Sequence, residues 1–474
     1  MIDSVNTRLS HTKITSKLGV LAVSSTTQYV LLAGVILLAI VMRFYKLGEW
    51  GFWIDEWHTL RHINQRWGDP FLPLSFRLIG LTINGLGLSD WTARLAPNIL
   101  GIVALPLFYF PIRKLFGAAV GLLAVTLLAL SPWHLYWSQN ARFYTALILF
   151  YGLGAILFYL WLETDRVRYL VASLLLMGLA AMERMNTVLF GPAVVVYFLA
   201  LLALPFGRPR GFHWRNMFFL GAPVLAFALY QILGTNLVRN MTQFILGRQH
   251  NPVRVFLSII YDIGLPLFLL ALLGGAYLIV RKNRAGLYIL ISALAPVLVL
   301  VAISPFTQTF SRYVFMTLPF WAILGAVAAK EIFVNTQKQA RILALGIVLI
   351  LFADPISQDV LYYTYQNGNR EDFKGALTWV SERMQPGDLL VSTRPELAGY
   401  YLGIAAIDSN QIDLDGILAS GDRAWFVMDS RTHISDELQS WLDASSQLME
   451  VFDVHIPGKT MYMRVYLWDP VGYG

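Results

Sequence analysis

Apolar residues run through this chain in long blocks, separated by short polar connections rich in arginine and lysine. A helix needs about 20 apolar residues to cross a bilayer. On that criterion spans are expected at 29–47, 96–115, 118–137, 143–162, 168–183, 187–205, 216–234, 257–280, 286–304, 313–333 and 340–353. The first block, Tyr29 to Leu47, has no small-residue cleavage site and reads as an uncleaved anchor. Beyond residue 355 the period changes. A helix is expected at 371–384, a strand at 388–393, a helix near 396–402, a strand at 424–428, a helix at 434–443 and a hairpin around Pro457-Gly458. The expected fold is therefore mainly α: a polytopic membrane helix bundle of about 11 spans with a small C-terminal α/β domain. Its parts are a tail at 1–28, a membrane domain at 29–354 with a long first outer loop at 48–96, and a soluble domain at 355–474.

Composition agrees: 57% of the residues are hydrophobic and 14% charged, far from a soluble domain's balance. There is no cysteine, so a domain outside the membrane holds together without disulfides or thiolate metal sites. The net charge of +7 hides a division. Up to Asp354 there are 28 Lys and Arg against 12 Asp and Glu; from Pro355 onward there are 8 against 17. The positive charge is topological and does not point to nucleic acid. One set of connections carries Arg113/Lys114, Arg166/Arg168, Arg208/Arg210/Arg215, Arg281/Lys282/Arg284 and Lys330/Lys338/Arg341, matching the basic N-terminus. The other set carries Arg142, Arg184 and Arg312 singly, with Arg239, Arg248 and Arg254 spread over a longer loop. Positive-inside bias then sets the N-terminus in the cytoplasm and the soluble domain outside, in a multi-pass protein of the plasma (inner) membrane. The sequon Asn240-Met241-Thr242 is read as a chance match, and no phosphate-cradling glycine motif occurs.

The first outer loop opens with RFYKLGEWGFWIDEWHTLRHINQR, in which Asp55-Glu56 follow a lipidic segment among Trp50, Trp53 and Trp57. Tryptophan collects at membrane–water boundaries, so the two carboxylates are expected at the bilayer rim. From Asp55 the pattern is helical, with Asp55, His58, His62 and Arg66 on one face and Glu56, Leu60, Ile63 and Trp67 on the other. Asp55 is expected to cap this helix. The apolar stretch at 71–88 reads as a re-entrant or interface-lying helix. Asp55, His58 and His62 at i, i+3, i+7 have the spacing of metal ligands, although two histidines on a surface helix are more often solvated, and no metal or other cofactor is assigned.

The Asp55-Glu56 pair, the run from Pro70 to Gly117 and the segment LSPWHLYWSQNARFYTALILF together resemble the GT-C membrane glycosyltransferases, in particular the family of protein O-mannosyltransferases and lipid A aminoarabinose transferases; SRYVFMTLP at 311–319 is similar to that family's Arg-Tyr segment. The resemblance implies a sugar moved from a polyprenyl-phosphate carrier to an acceptor hydroxyl of a lipid, glycan or protein on the outer face, with inversion and with Asp55 as base beside Glu56. The sequence departs from the family at Asn140, where relatives often have an acidic residue, and at Gly68-Asp69-Pro70, where many have a histidine before two prolines.

The chemistry needs a deprotonated hydroxyl on one side and a stabilised leaving group on the other. A phosphate leaving group is already an anion, so one carboxylate base and cationic phosphate ligands suffice. Arginine binds two phosphate oxygens at once. Arg142, Arg312 and Arg184 are the candidate phosphate ligands, Arg184 having a structural ion pair with Glu183 as its alternative. His58, Gln139, Tyr144 and Tyr313 are candidate substrate contacts. The competing classes are a lipid-linked oligosaccharide polymerase or ligase, and a transporter or flippase; transporters tend to bury ionisable groups at mid-membrane in repeated halves, which this chain lacks.

Overall fold

The computed structural model describes residues 24–216, 218, 250–335, 341–456 and 459–470. The span expected at 216–234 and the sequon at 240–242 fall outside the described residues, except for 216 and 218. Among the described residues seven helices are long and apolar enough to cross a membrane, and two bent pairs bring the number to nine.

The chain enters through α1 (Ser25–Phe44), then α2 (Ile54–Arg66) and α3 (Leu74–Leu86) lie between the first and second spans. There follow α4 (Asp90–Phe116), α5 (Ala118–Ala129), α6 (Pro132–Ser138), α7 (Tyr144–Thr164), α8 (Val167–Glu183) and α9 (Phe190–Ala203). After the undescribed segment come α10 (Pro252–Ile263), α11 (Leu265–Val280), α12 (Arg284–Ile303), a 3-10 turn at Ser311–Thr317, α13 (Leu318–Asn335) and α14 (Arg341–Thr364). The centre of the bundle is α7, buried along nearly its whole length, with α13 beside it, whereas α1 and α14 leave most of their apolar surface uncovered. Close approach needs a missing side chain: a Cβ on Gly274 of α11 would collide with the Leu324 carbonyl of α13.

Two spans are broken where the sequence looks continuous. Ser131 interrupts the block at 118–137 and its hydroxyl caps α6, so α5 and α6 meet at 60°. Gly264, at φ 89°, turns α10 into α11 by 92°. After the first break α6 buries Trp133, Trp137 and Ser138 at the end of the bundle where α2 lies.

On that end α2 has the expected faces, with Glu56, Thr59, Leu60 and Ile63 buried. The expected cap is corrected: α2 starts at Ile54, Trp53 is the capping residue, and Asp55 lies inside the first turn. Here Glu56, not Asp55, turns back toward the start of the helix, accepting the Trp53 N–H at 3.5 Å. Helix α3 buries Ser75, Phe76, Ile79 and Gly80 and leaves Leu81 and Leu86 exposed, the pattern of a helix lying along an interface.

Pro355 lies within α14, so the chain does not leave this helix until Thr364. The soluble part then builds α15 (Phe373–Ser381), β1 (Leu389–Ser392), α16 (Pro395–Leu402), β2 (Ile407–Asp408), α17 (Leu414–Ser420), β3 (Ala424–Asp429), α18 (Asp436–Ser445), β4 (Gln447–Ile456) and β5 (Lys459–Trp468). The sheet order is β2-β1-β3-β5-β4, parallel across β2-β1-β3 and antiparallel across β3-β5-β4. The short β2 and α17 have no counterpart in the sequence pattern; β2 is two residues long, too short for an alternation to register.

This domain is seated on the segment between the first and second spans. Asp90 accepts from Lys374 Nζ at 2.9 Å and from the Tyr401 hydroxyl at 2.7 Å, and that hydroxyl in turn accepts the buried Phe52 N–H at 2.6 Å. Replacing Tyr401 by Phe leaves the buried Phe52 N–H without its acceptor and Asp90 with Lys374 alone, which costs about 1–3 kcal/mol. Thermal melting of Tyr401→Phe is expected to show that loss, together with faster proteolysis near residue 372.

Candidate active site

Glu56 is fully buried, and so are both arginines that hold it. Its Oε1 accepts Arg94 Nε and the Ala141 N–H, each at 2.8 Å; its Oε2 accepts from Arg94 at 2.8 Å and from Arg370 at 3.0 Å. Arg94 also donates to the carbonyls of Leu47, Trp50 and Gly51. Burial alone raises the pKa of this carboxyl, but the two guanidiniums and the Ala141 N–H outweigh it and hold Glu56 below the ordinary carboxylate range. Arg370 reaches the clamp because the chain turns at Gly368, at φ 60°, where a Cβ would strike the Trp50 ring. Four segments distant in sequence thus converge on one carboxylate.

Asp55 points the other way and is partly exposed. Its Oδ2 accepts Arg312 at 3.0 Å. Arg142 donates to the Asp55 carbonyl at 2.7 Å and to the Thr59 hydroxyl at 2.8 Å, while its guanidinium lies over Phe143. Arg184 covers the same ring at 5.4 Å. Burial lowers the pKa of Arg142; Asp55 opposes this, and Arg312 and Arg184 add to it. The Nε atoms of Arg142 and Arg312 are buried without partners. Arg312 thus pairs with the Asp55 carboxylate, while Arg142 and Arg184 gather over the Phe143 ring beside it, so positive charge exceeds negative charge among these side chains. Beneath it Trp137 and Tyr144 stack at 3.8 Å, with Phe315 against Trp133.

The other expected residues separate by role. His58 is exposed one turn from Asp55. Tyr313 is half-buried beside Arg312, with its carbonyl taken by Asn186, and Tyr144 is buried in the aromatic floor. Gln139 is buried and spent on structure: its amide donates to the Arg43 and Tyr45 carbonyls and accepts the Tyr362 hydroxyl. The alternative of an Arg184–Glu183 ion pair is not found; Glu183 instead accepts the backbone N–H and hydroxyl of Ser75 at the start of α3. Asn140, at the position where an acidic residue is common in relatives, accepts the Trp53 indole N–H at 2.7 Å. Trp50 and Trp53 are buried, so those rings serve tertiary packing and not the bilayer rim; Trp50 stacks on Tyr363. Among the described residues no group of three His, Asp or Glu is placed to hold a metal ion. Sequence reasoning missed Arg94 and Arg370. The signal for Arg94 was a charge two residues before an expected apolar span, which the structure places inside α4 and which needs a buried partner; Arg370 had none.

Comparison with known proteins agrees with this architecture. The family model described as dolichyl-phosphate-mannose-protein mannosyltransferase matches residues 70–233. No curated protein matches the sequence. ArnT from Cupriavidus metallidurans in the apo state superposes with a TM-score of 0.59 at 16% identity, over 94% of this chain and 98% of that one. The same protein bound to undecaprenyl phosphate gives 0.55 at 14% identity, over 94% and 98%. The apo oligosaccharyltransferase of Archaeoglobus fulgidus gives 0.56 at 15%, over 86% of this chain and 70% of that one. The chain has the GT-C fold of membrane glycosyltransferases.

Neutralising the clamp leaves two buried guanidiniums without their counter-charge, a loss of about 3–5 kcal/mol. Glu56→Gln is expected to melt far below the wild type by calorimetry in detergent. Because the folded-state pKa of Glu56 is depressed, its contribution is complete above the ordinary carboxylate range and is lost only as pH falls through the lowered value. Acid titration of the melting temperature is expected to show the wild type losing this contribution at low pH, and Glu56→Gln lacking that step.

Proposed function

We propose that this chain is an inverting glycosyltransferase that moves a sugar from a polyprenyl-phosphate carrier to an acceptor hydroxyl at the outer face of the plasma membrane. The observation that carries this reading is the partly exposed carboxylate of Asp55 paired to Arg312, with Arg142 on the Asp55 backbone carbonyl and Arg184 over the neighbouring Phe143 ring. Asp55 Oδ1 takes the proton of the acceptor hydroxyl. The acceptor oxygen bonds to the anomeric carbon from the face opposite the phosphate, and the carbon–oxygen bond to the phosphate breaks. The polyprenyl phosphate leaves with both bond electrons and needs no proton, because the guanidiniums receive its charge. The unpartnered Nε atoms of Arg142 and Arg312 are donors ready for its oxygens. The same three cations repel a divalent ion at Asp55, so the proposal needs no metal there. Glu56 acts through position: locked between Arg94 and Arg370, it fixes the helix that presents Asp55.

The loops bearing Arg113/Lys114, Arg166/Arg168 and Arg281/Lys282/Arg284 lie away from this site, and their positive charge supports a cytoplasmic placement for that end. The solved relative bound to undecaprenyl phosphate supports a lipid phosphate as carrier.

With purified enzyme in nanodiscs and a polyprenyl-phosphate monosaccharide, Asp55→Asn is expected to lose about 10²–10⁴ in turnover at an unchanged melting temperature; near-normal turnover would end this reading. Arg312→Ala is expected to lower kcat by about a hundredfold or more, with Arg312→Lys recovering only part because it cannot bind two oxygens at once. If turnover requires a pyrophosphate-linked oligosaccharide instead, the protein is a ligase or polymerase of the same chemistry.

A further inference from the structure

The seam between α2 and α16 has a composition that the reaction at Asp55 leaves unexplained. His58 sits three residues after Asp55 on the same face of α2, about 4.5 Å further along the helix. Trp57 stands beside it, and the Tyr400 ring of α16 meets the Trp57 ring at 5.7 Å with a tilt of 51°. Arg394 precedes α16 and Glu396 lies in its first turn. His58 is exposed, and Trp57, Arg394, Glu396 and Tyr400 are half-buried, so all five are open to a ligand. Among the described residues the side chains of His58 and Glu396 make no hydrogen bond, and Arg394 has only a long contact of 3.7 Å to Asp429. Burial is the largest influence on His58 and, with Arg142 and Arg394, lowers its pKa against the pull of Asp55 and Glu396. A neutral imidazole offers one donor and one acceptor.

We infer that this seam is the acceptor subsite and that the acceptor is a saccharide. A sugar ring has an apolar C–H face and a rim of hydroxyls. The two tilted rings suit the face, and a carboxylate, a guanidinium and an imidazole with free hydrogen-bonding capacity suit the rim. A polypeptide acceptor held as an added strand would need unpaired backbone donors and acceptors. Both walls here are helices, whose backbones are already paired, and an acyl chain would have to bury three polar side chains. His58, one helical turn from Asp55 on the same face of α2, links this seam to the Asp55 carboxylate. The inference rests on the transferase reading for what the site is for, and it adds the substrate class.

The test is saturation-transfer NMR on the full chain in nanodiscs, with methyl glycosides of mannose, glucose, galactose and N-acetylglucosamine at millimolar concentration, and with a threonine-rich octapeptide as the rival. At least one glycoside is expected to receive saturation and the peptide none. Trp57→Ala is expected to weaken glycoside binding about tenfold, the worth of one aromatic contact. Glu396→Gln, a volume-conserving change at a half-exposed position, is expected to weaken it as well. Absence of transfer to every glycoside, transfer to the peptide that Trp57→Ala removes, or glycoside binding insensitive to both variants would each overturn the inference. Binding needs no turnover. An active Asp55→Asn enzyme therefore defeats the reaction assignment without touching this result, and failure here leaves the assignment of Asp55 intact.

Discussion

The structure depends on one buried negative charge. Glu56 lies at zero exposure, where an unpaired carboxylate would not stay ionised, and it is tolerated because two equally buried guanidiniums and a backbone N–H take up its oxygens. Each partner belongs to a different segment: Arg94 to α4, Ala141 to the loop between α6 and α7, Arg370 to the linker after α14. The carboxylate therefore fixes where α2 sits relative to three other pieces of chain. Ala141 immediately precedes Arg142, so the bond that completes the clamp also sets the height of an arginine over Asp55.

Two neighbouring carboxylates thereby have opposite environments. Successive residues on a helix point about 100° apart, so burying Glu56 turns Asp55 outward. Asp55 keeps a single direct ion pair, to Arg312, while Arg142 and Arg184 crowd the same ring of Phe143. Cations brought together this closely with one anion between them favour the arrival of further negative charge.

The aromatic residues of the first outer loop follow the same logic. Trp50 stacks on Tyr363 of α14, Trp53 donates to Asn140, and Trp57 meets Tyr400 of the soluble domain. Each anchors a different element to α2 or to the chain leading into it. Asp90 and Tyr401 add a polar anchor at the buried Phe52 N–H. The C-terminal domain is therefore seated beside Asp55 by side chains of the membrane domain as well as by its covalent linker.

Local pattern carried much of this architecture. Blocks of apolar residues marked the helices, because burial in lipid or bundle core demands an uninterrupted apolar run. The 3.6-residue period of α2 separated a face with Glu56, Leu60 and Ile63 from one with Asp55, His58 and His62. Short apolar runs bounded by turn residues outlined the strands β1 and β3. Period and composition act over a turn or a span, and they end there. They did not show which of Asp55 and Glu56 is buried, because that choice belongs to Arg94 and Arg370, 38 and 314 residues away. Nor did they show that Arg184 passes over its neighbour Glu183 to reach Phe143, or that Trp50 and Trp53 turn inward. Buried ion pairs and ring contacts are settled by which helices lie side by side, and only the packed bundle decides that.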